Sequence, residues 1–264
     1  MTEIPFEIIS TDLLNNYKDN FNNKINQYFE DLHDSELSID TFSFYTSVSA
    51  VFSSKIEGEH IELDSFIKHK RFGVKYQPDY TKKTDDLYDA YVFAQNNKLS
   101  AQTLAAAHVQ LTKNILQQSQ QGKFRTGNMF VVTNDGRIEY VAASPGLIKT
   151  EMEKLSIDME KLLKANLDFN EVFFFAAMLH LVFVKIHPFE DGNGRTARLL
   201  EKWFIAQKLG GKAWFIQSER YYYDQHQTYY NNIRRLGMEY DTLNYNEALP
   251  FLLMLPEAVN YKGK

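Results

Sequence analysis

Cysteine is absent from all 264 residues. No disulfide framework, thiolate zinc site or Cys nucleophile can therefore be built, and the composition fits a reducing compartment. Proline (6) and glycine (12) are sparse, and no linker, internal repeat or low-complexity tract stands out. Positive charge is not in excess. With 29 Lys+Arg against 34 Asp+Glu the net charge is -5, so no basic field recruits nucleic acid or an anionic membrane, and neither partner is expected. The first residues, MTEIPFEIISTDLL, lack a basic segment followed by a long apolar one, which argues against a signal peptide and for a cytoplasmic location. The most apolar stretch, VFFFAAMLHLVFVKI at 172–186, is interrupted by His180 and Lys185. It falls short of the roughly 18 apolar residues a membrane span needs and reads as a buried core helix.

What the chain does contain is helical periodicity and 44% apolar residues, enough for a real core. A first helix is expected over 11–31, with Leu13, Leu14, Tyr17, Phe21, Ile25 and Phe29 on one face. A second is expected over about 42–57, ending at Gly58 as a left-handed terminator. Others are expected over 62–71 and 83–97, and Ser100 is placed to cap a helix carrying Leu104, Ala107, His108, Leu111 and Ile115. The β-formers Phe130, Val132, Ile138, Tyr140 and Val141 surround Asn134-Asp135-Gly136 and predict a short hairpin. Helices are expected again at 146–164, 170–186, 194–209, 222–236 and 246–255. The fold class is mostly α with one β-hairpin, packed as one globular unit.

Residues 187–198, HPFEDGNGRTAR, concentrate a His, two acids, two glycines, an Asn and two Arg. Pro188 stops the preceding helix and biases His187 away from the α region, placing it on a loop. Gly192-Asn193-Gly194 then opens the next helix, where free N–H groups and the positive end of the dipole face an anion. Arg195 and Arg198, at i and i+3, share one face of that helix, and two guanidiniums suit a polyphosphate. Asp191 beside such a cradle calls for a cation in between, and Mg²⁺ held by one carboxylate plus phosphate oxygens serves. A neutral His187 can take a proton from a hydroxyl near neutral pH. The pattern spells a base plus Mg²⁺-polyphosphate, a hydroxyl attacking phosphorus. Taken singly, a His-Pro or a GNG means little, and a Gly-containing helix start near Arg is as often plain capping. No P-loop signature is present, and a helix rather than a strand precedes the glycines, which excludes a dinucleotide fingerprint. His108 and His180 sit in helical patterns and read as satisfied structural histidines.

HPFEDGNGRTAR resembles the Fic family motif H-x-F-x-[D/E]-G-N-G-R-x-x-R at every defined position: His187, Phe189, Asp191, Gly192, Asn193, Gly194, Arg195 and Arg198. The resemblance extends from about 42 to 255 and takes in the helix with His108, the segment Gly122-Lys123-Phe124-Arg125, the hairpin, His180 seven before the motif, and Tyr229-Tyr230. It implies a Fic-type helical core with a β-hairpin flap. Its organisation would be an N-terminal helical region at 1–85 with an inhibitory helix at about 42–57, a catalytic core at 86–236 and a C-terminal helical extension at 237–264. The implied activity is AMP transfer from Mg-ATP to a Ser, Thr or Tyr hydroxyl of a protein, or of the chain itself. By position, His187 would be the base, Asp191 the Mg²⁺ ligand and Phe189 a buried anchor. Gly192, Asn193, Gly194 and Arg195, with Thr196 beside them, would hold the α- and β-phosphates, Arg198 the γ-phosphate, and Tyr229 would line the adenine site. The flap around 131–141 would add a strand to the target's backbone. A homo-oligomer is left open.

SSKIEG at 53–58 is the second informative stretch. Glu57 stands in the last turn of its helix, where the dipole disfavours a carboxylate by roughly 0.3–1 kcal/mol. From composition alone it reads as a solvated Glu beside Glu59; the alternative is that it needs an Arg. SSKIEG resembles the family's inhibitory signature [S/T]-x-x-x-E-[G/N] through Ser53, Glu57 and Gly58, which implies that Glu57 pairs with Arg198 and holds the enzyme off. Competing readings are AMP removal by the same site, transfer of another phosphate-containing group, and a non-catalytic module that binds ATP. The unbroken motif favours AMP transfer, and intact His187 counts against the module. A transcription-factor reading is weak, because no compact helix-turn-helix follows the motif.

Overall fold

The computed structural model describes residues 5–263 except 41, 133–135 and 137. Its centre is α8, Phe169–Ile186, an 18-residue helix opened by a capping box in which Asp168 and Glu171 satisfy each other's backbone N–H. Every residue from Val172 to Phe183 is buried. A helix apolar on all sides must be surrounded by other elements or by lipid. Among the described residues it is the one helix long and apolar enough to cross a membrane, and 83% of it is buried in protein.

The surrounding layer comes from both ends of the chain. The helix α1, Leu14–Asn20, and the helix α2, Lys24–Glu30, lay Tyr17, Phe21 and Phe29 against Phe169, Phe173 and Phe174 in edge-to-face contacts. The expected single helix at 11–31 is thus divided. The Asn22 side chain accepts the Lys24 N–H, a local bond that competes with the helical ladder, and Phe21 turns extended. Lys18 on α1 reaches back to Asp168 and Glu171 at 2.8 and 2.7 Å. Next come α3, Phe44–Ile56, and α4, Leu63–Phe72. Then follow α5, Pro78–Gln95, and α6, Ala101–Leu111, the latter capped by Ser100 as expected. Ten of the thirteen residues of α3 are buried, so it is a wall of the core. Its last helical residue is Ile56, Glu57 forms the C-cap, and Gly58 follows at φ 86°.

The hairpin pairs β1, Phe130–Val132, antiparallel with β2, Ile138–Val141, with a bulge between Val131 and Val132. Its expected turn at Asn134-Asp135 lies outside the described residues. The far side of β2 is taken, because Val141 N–H donates to the Met238 carbonyl. Phe130 and Val132 on β1 are exposed. Beyond the hairpin, α7, Pro145–Lys164, packs on α8, and α9, Asn193–Leu209, runs along it. The expected helix at 222–236 is two, α10, Ser218–Asp224, and α11, His226–Arg234, broken at Gln225. The expected 246–255 helix is reduced to single turns, α12, Leu249–Leu252, and α13, Met254–Glu257, since Pro250 and Pro256 lack the N–H a longer ladder needs. One cluster of buried side chains runs from Ile9 to Val259.

The N-terminal segment is tied down by one carboxylate. Fully buried Asp158 on α7 accepts the backbone N–H groups of Glu7, Ile8 and Ile9 at 2.8–3.0 Å. Asp158→Ala removes the acceptor for all three and is expected to lower stability by about 3 kcal/mol in urea denaturation. It should also open residues 5–13 to limited proteolysis. A variant as stable and as protease-resistant as the parent would show that the tether contributes nothing.

Candidate active site

His187 closes α8 in an unusual way. It is the one described non-glycine residue with positive φ, at φ 54° and ψ 59°. The proline rule gave a turn away from the α region, and the structure goes further, into the left-handed well. The bond that holds the ring also sets its tautomer. His187 Nδ1 lies 3.2 Å from the Val184 carbonyl, which can only accept, so Nδ1 carries the proton and Nε2 the lone pair. Burial lowers the imidazole's affinity for a proton below the ordinary histidine value, which favours the neutral ring with its Nε2 lone pair unprotonated.

The loop from 188 to 192 is fixed from inside. Phe189 is buried as expected, stacked on His108 at 3.7 Å between ring centroids. The Asn193 side chain clamps it, accepting from Phe189 N–H at 2.9 Å and donating to the Phe189 carbonyl at 2.8 Å. His108 is structural, as its helical setting implied. Nε2 donates to the Asp191 carbonyl and Nδ1 accepts from Gly122 N–H, each at 2.9 Å. Gly192 lies at φ 81°, and a Cβ there would meet Thr112 Cγ2 at 2.8 Å, so only glycine fits. Thr196 is fully buried and its hydroxyl donates to the Gly192 carbonyl, so its side chain serves the helix start.

Two arginines stand over that start with different partners. Arg195 is buried, touches Asp191 Oδ1 at 3.4 Å, and leaves Nε and Nη1 with no hydrogen-bond partner. Unpaired buried guanidinium nitrogens are costly unless an anion completes them, and Arg195 stands in the first turn of α9, where the leading N–H groups have no partner within the helix. Arg198 makes four hydrogen bonds among the described residues. Its Nη2 donates to Glu57 Oε1 at 2.6 Å and to the Ser53 carbonyl at 3.1 Å, its Nε to Ser53 Oγ at 2.9 Å, and its Nη1 to Tyr229 Oη at 3.4 Å. The Glu57 carboxylate also lies directly over Gly194, where a Cβ would collide with it. Burial alone would raise the Glu57 carboxyl, but Arg198 and Arg195 outweigh it and hold the group below the usual carboxylate range. The Asp191 side chain is about half exposed at 48%, with Oδ1 accepting Gly192 N–H.

Glu57, His187, Gly194 and Arg198 line a cavity of ≈ 260 Å³, whose other lining residues include Val131, Glu139, Tyr140, Lys185, Tyr229, Tyr230 and Arg234; Asp191 and Arg195 are not part of that lining. A second, larger cavity of ≈ 320 Å³ lies behind Phe189. It is lined mostly by apolar side chains and contains none of the motif's phosphate-binding groups, so the smaller cavity is the candidate site. Lys185 was legible only as an anomaly in an apolar helix. The structure places it in the cavity wall, over the Tyr140 ring at 4.0 Å, with burial lowering its ammonium to about 8. Arg125, in the sequence only one member of a matched segment, joins the loop to the flap. It donates to the carbonyls of His187, Gly127 and Ala143, and its N–H donates to the Pro188 carbonyl. No sequence signal marked it for that task.

The site residues present suit Mg²⁺-bound triphosphate. Among the described residues no group of three or more His, Asp or Glu could hold a metal alone. Asp191, half exposed beside the start of α9, is a carboxylate that could contribute to a Mg²⁺ shell completed by phosphate oxygens and water.

Residues 98–205 match the Fic/DOC family. No curated protein gives a match. Solved structures share the fold. A Fic family protein from Desulfovibrio desulfuricans aligns at TM-score 0.70 and 18% identity over 97% of this chain and 74% of its own. A Fic domain containing signaling protein from Bacteroides thetaiotaomicron aligns at 0.63 and 19% over 94% and 91%. Fic-1 of C. elegans aligns at 0.65 and 17% over 94% and 68%.

The two buried histidines, His108 on α6 and His187 at the end of α8, give stability a pH dependence of known sign. Burial lowers His108 to about 4, and His187 is lowered in the same direction. The unfolded chain binds protons at these positions near pH 6.5 while the folded chain does not. Stability must therefore fall as pH drops from about 6.5 toward 4, with His108 alone contributing on the order of 3 kcal/mol. Urea denaturation at pH 7 and at pH 5 checks this. His108→Gln should flatten the slope, and stability that holds or rises on acidification contradicts the assignment.

Proposed function

Since the chain carries a Fic/DOC family domain on a fold shared with Fic proteins, we propose that it is a protein adenylyltransferase restrained by its own Glu57. It would transfer AMP from Mg-ATP to a Ser, Thr or Tyr hydroxyl of a protein. The observation that carries the reading is the pairing of His187 Nε2, free to accept a proton, with a buried Arg195 whose Nε and Nη1 await an anion. In the step, the target's hydroxyl oxygen bonds to the α-phosphorus, the bond to the β-phosphate oxygen breaks, and pyrophosphate leaves. The hydroxyl proton passes to His187 Nε2. Arg195 and the N–H groups at the start of α9 neutralise charge on the α- and β-phosphates as it grows. Asp191 would hold Mg²⁺, which supplies charge neutralisation across the phosphate oxygens. The exposed Phe130 and Val132 on the free edge of β1 suit an extended target segment added as a third strand.

Restraint follows from who occupies Arg198. With Glu57 at 2.6 Å the guanidinium is unavailable to a γ-phosphate, and the carboxylate's charge over Gly194 repels one. Incubation with α-labelled ATP, Mg²⁺ and candidate targets, or the chain alone, tests both claims. Glu57→Gly should raise labelling about tenfold. Adding His187→Ala to that variant should lower it by about 10²-fold or more. Equal labelling of Glu57→Gly and the parent defeats the restraint, and undiminished labelling without His187 defeats its role as base.

A further inference from the structure

Tyr229, expected to line the adenine site, borders the cavity, and its ring is largely covered, stacked on Tyr222 with centroids 4.8 Å apart and edge-on to Tyr230 at 5.2 Å. Its hydroxyl points to Arg198 on one side and to His180 Nε2, at 3.0 Å, on the other. His180 Nδ1 in turn lies 2.7 Å from Glu201 Oε2, and Tyr222 Oη donates to both Glu201 oxygens at 3.0 Å. His180, Glu201 and Tyr222 are fully buried, and Tyr229 and Arg198 are 1% exposed.

One arrangement of protons satisfies the whole set. Arg198 can only donate, so the Tyr229 oxygen accepts from it. Burial pushes the Tyr229 phenol up to about 12, so its proton stays and is donated to His180 Nε2. His180 Nδ1 then carries the ring proton and donates to the Glu201 carboxylate. A buried negative charge is thereby joined to a buried positive one through two neutral side chains. Each bond polarises the next in the same direction. Of the bonds Arg198 makes, only the one to Tyr229 does not go to the region of Ser53 and Glu57.

We propose that Glu201, His180 and Tyr229 form a positioning relay that holds Arg198 from behind, so that its outward nitrogen can exchange Glu57 for the terminal phosphate of ATP without the guanidinium shifting. The inference rests on the reading of Arg198 as a γ-phosphate contact. It makes Tyr229 a positioning residue, acting through its hydroxyl on the phosphate end of the nucleotide and not on the base.

The ratio of ATP to AMP affinity separates these roles, because AMP lacks the phosphate Arg198 would hold. In the full-length Glu57→Gly chain, calorimetry with AMP and with a non-hydrolysable ATP analogue in Mg²⁺ gives the reference ratio. Tyr229→Phe keeps the ring and removes the hydroxyl. It is expected to weaken the ATP analogue about tenfold and to leave AMP unchanged. In an Arg198→Met background it should have no further effect on the analogue. Glu201→Gln, which keeps the shape and removes the charge, should give a smaller loss in the same direction and carries the test if Tyr229→Phe folds poorly. Equal losses for both ligands, or none for either, overturn the relay. If Arg198→Met abolishes the preference for the ATP analogue while Tyr229→Phe preserves it, the relay fails alone. If Arg198→Met leaves the preference intact, the γ-phosphate reading fails and takes the relay with it.

Discussion

A guanidinium buried to 1% exposure in the second turn of a helix is the constraint around which this molecule is arranged. Removing such a charge from water costs several kcal/mol unless counter-charge and hydrogen bonds are supplied in place. Arg198 draws them from elements far apart in the chain: Ser53 and Glu57 at the end of α3, Tyr229 on α11, and beyond it Glu201. The unfavourable position of Glu57 at the negative end of its own helix is offset the same way, since Arg198 stands across from it. Two placements that would each destabilise the fold alone become one that supports it.

The chemistry depends on α8 as much as on the motif that follows it. Full burial of that helix fixes its axis, and its C-terminus delivers His187 with the ring tied to Val184. Asn193 and His108 then shape the five residues between the base and the start of α9 by bonding their backbone rather than any ligand. The loop is thus held by side chains facing inward, which under the proposed function leaves Arg195 and Asp191 for a phosphate and its cation. In physical terms this is preorganisation: the dipoles are oriented before the charge they serve appears.

Much of this was legible from residue types at fixed offsets. The string from His187 to Arg198 marked a loop between two helices with a histidine at its entry and two arginines in the first turns of the second helix, and the structure has that arrangement. The hairpin was legible from β-branched and aromatic residues, and the burial of α8 from an apolar run interrupted only by His180 and Lys185. The division of the first helix was not, because it turns on one Asn22 side chain capturing one N–H. Nor was the left-handed His187, since the proline rule only steers it out of the α region. The hydrogen bonds of the Tyr229 hydroxyl were not legible either. Its partners lie 49 and 31 residues away in sequence, and no spacing rule connects a phenol to a guanidinium across such distances.

The burial of α3 has a mechanical consequence. With ten of its thirteen residues inside the core, and Ser49 bonded to Lys202 on α9, the helix cannot swing off as a hinged lid without opening the core beneath it. Glu57 sits past the last regular turn, its side chain 23% exposed, followed by a glycine with nothing within 4 Å of where a side chain would begin. The freedom to leave Arg198 therefore resides in a few torsions at the tip of an otherwise immobile rod. Under the proposed restraint, freeing the arginine requires only that one carboxylate turn aside, and the rest of the molecule can stay as it is.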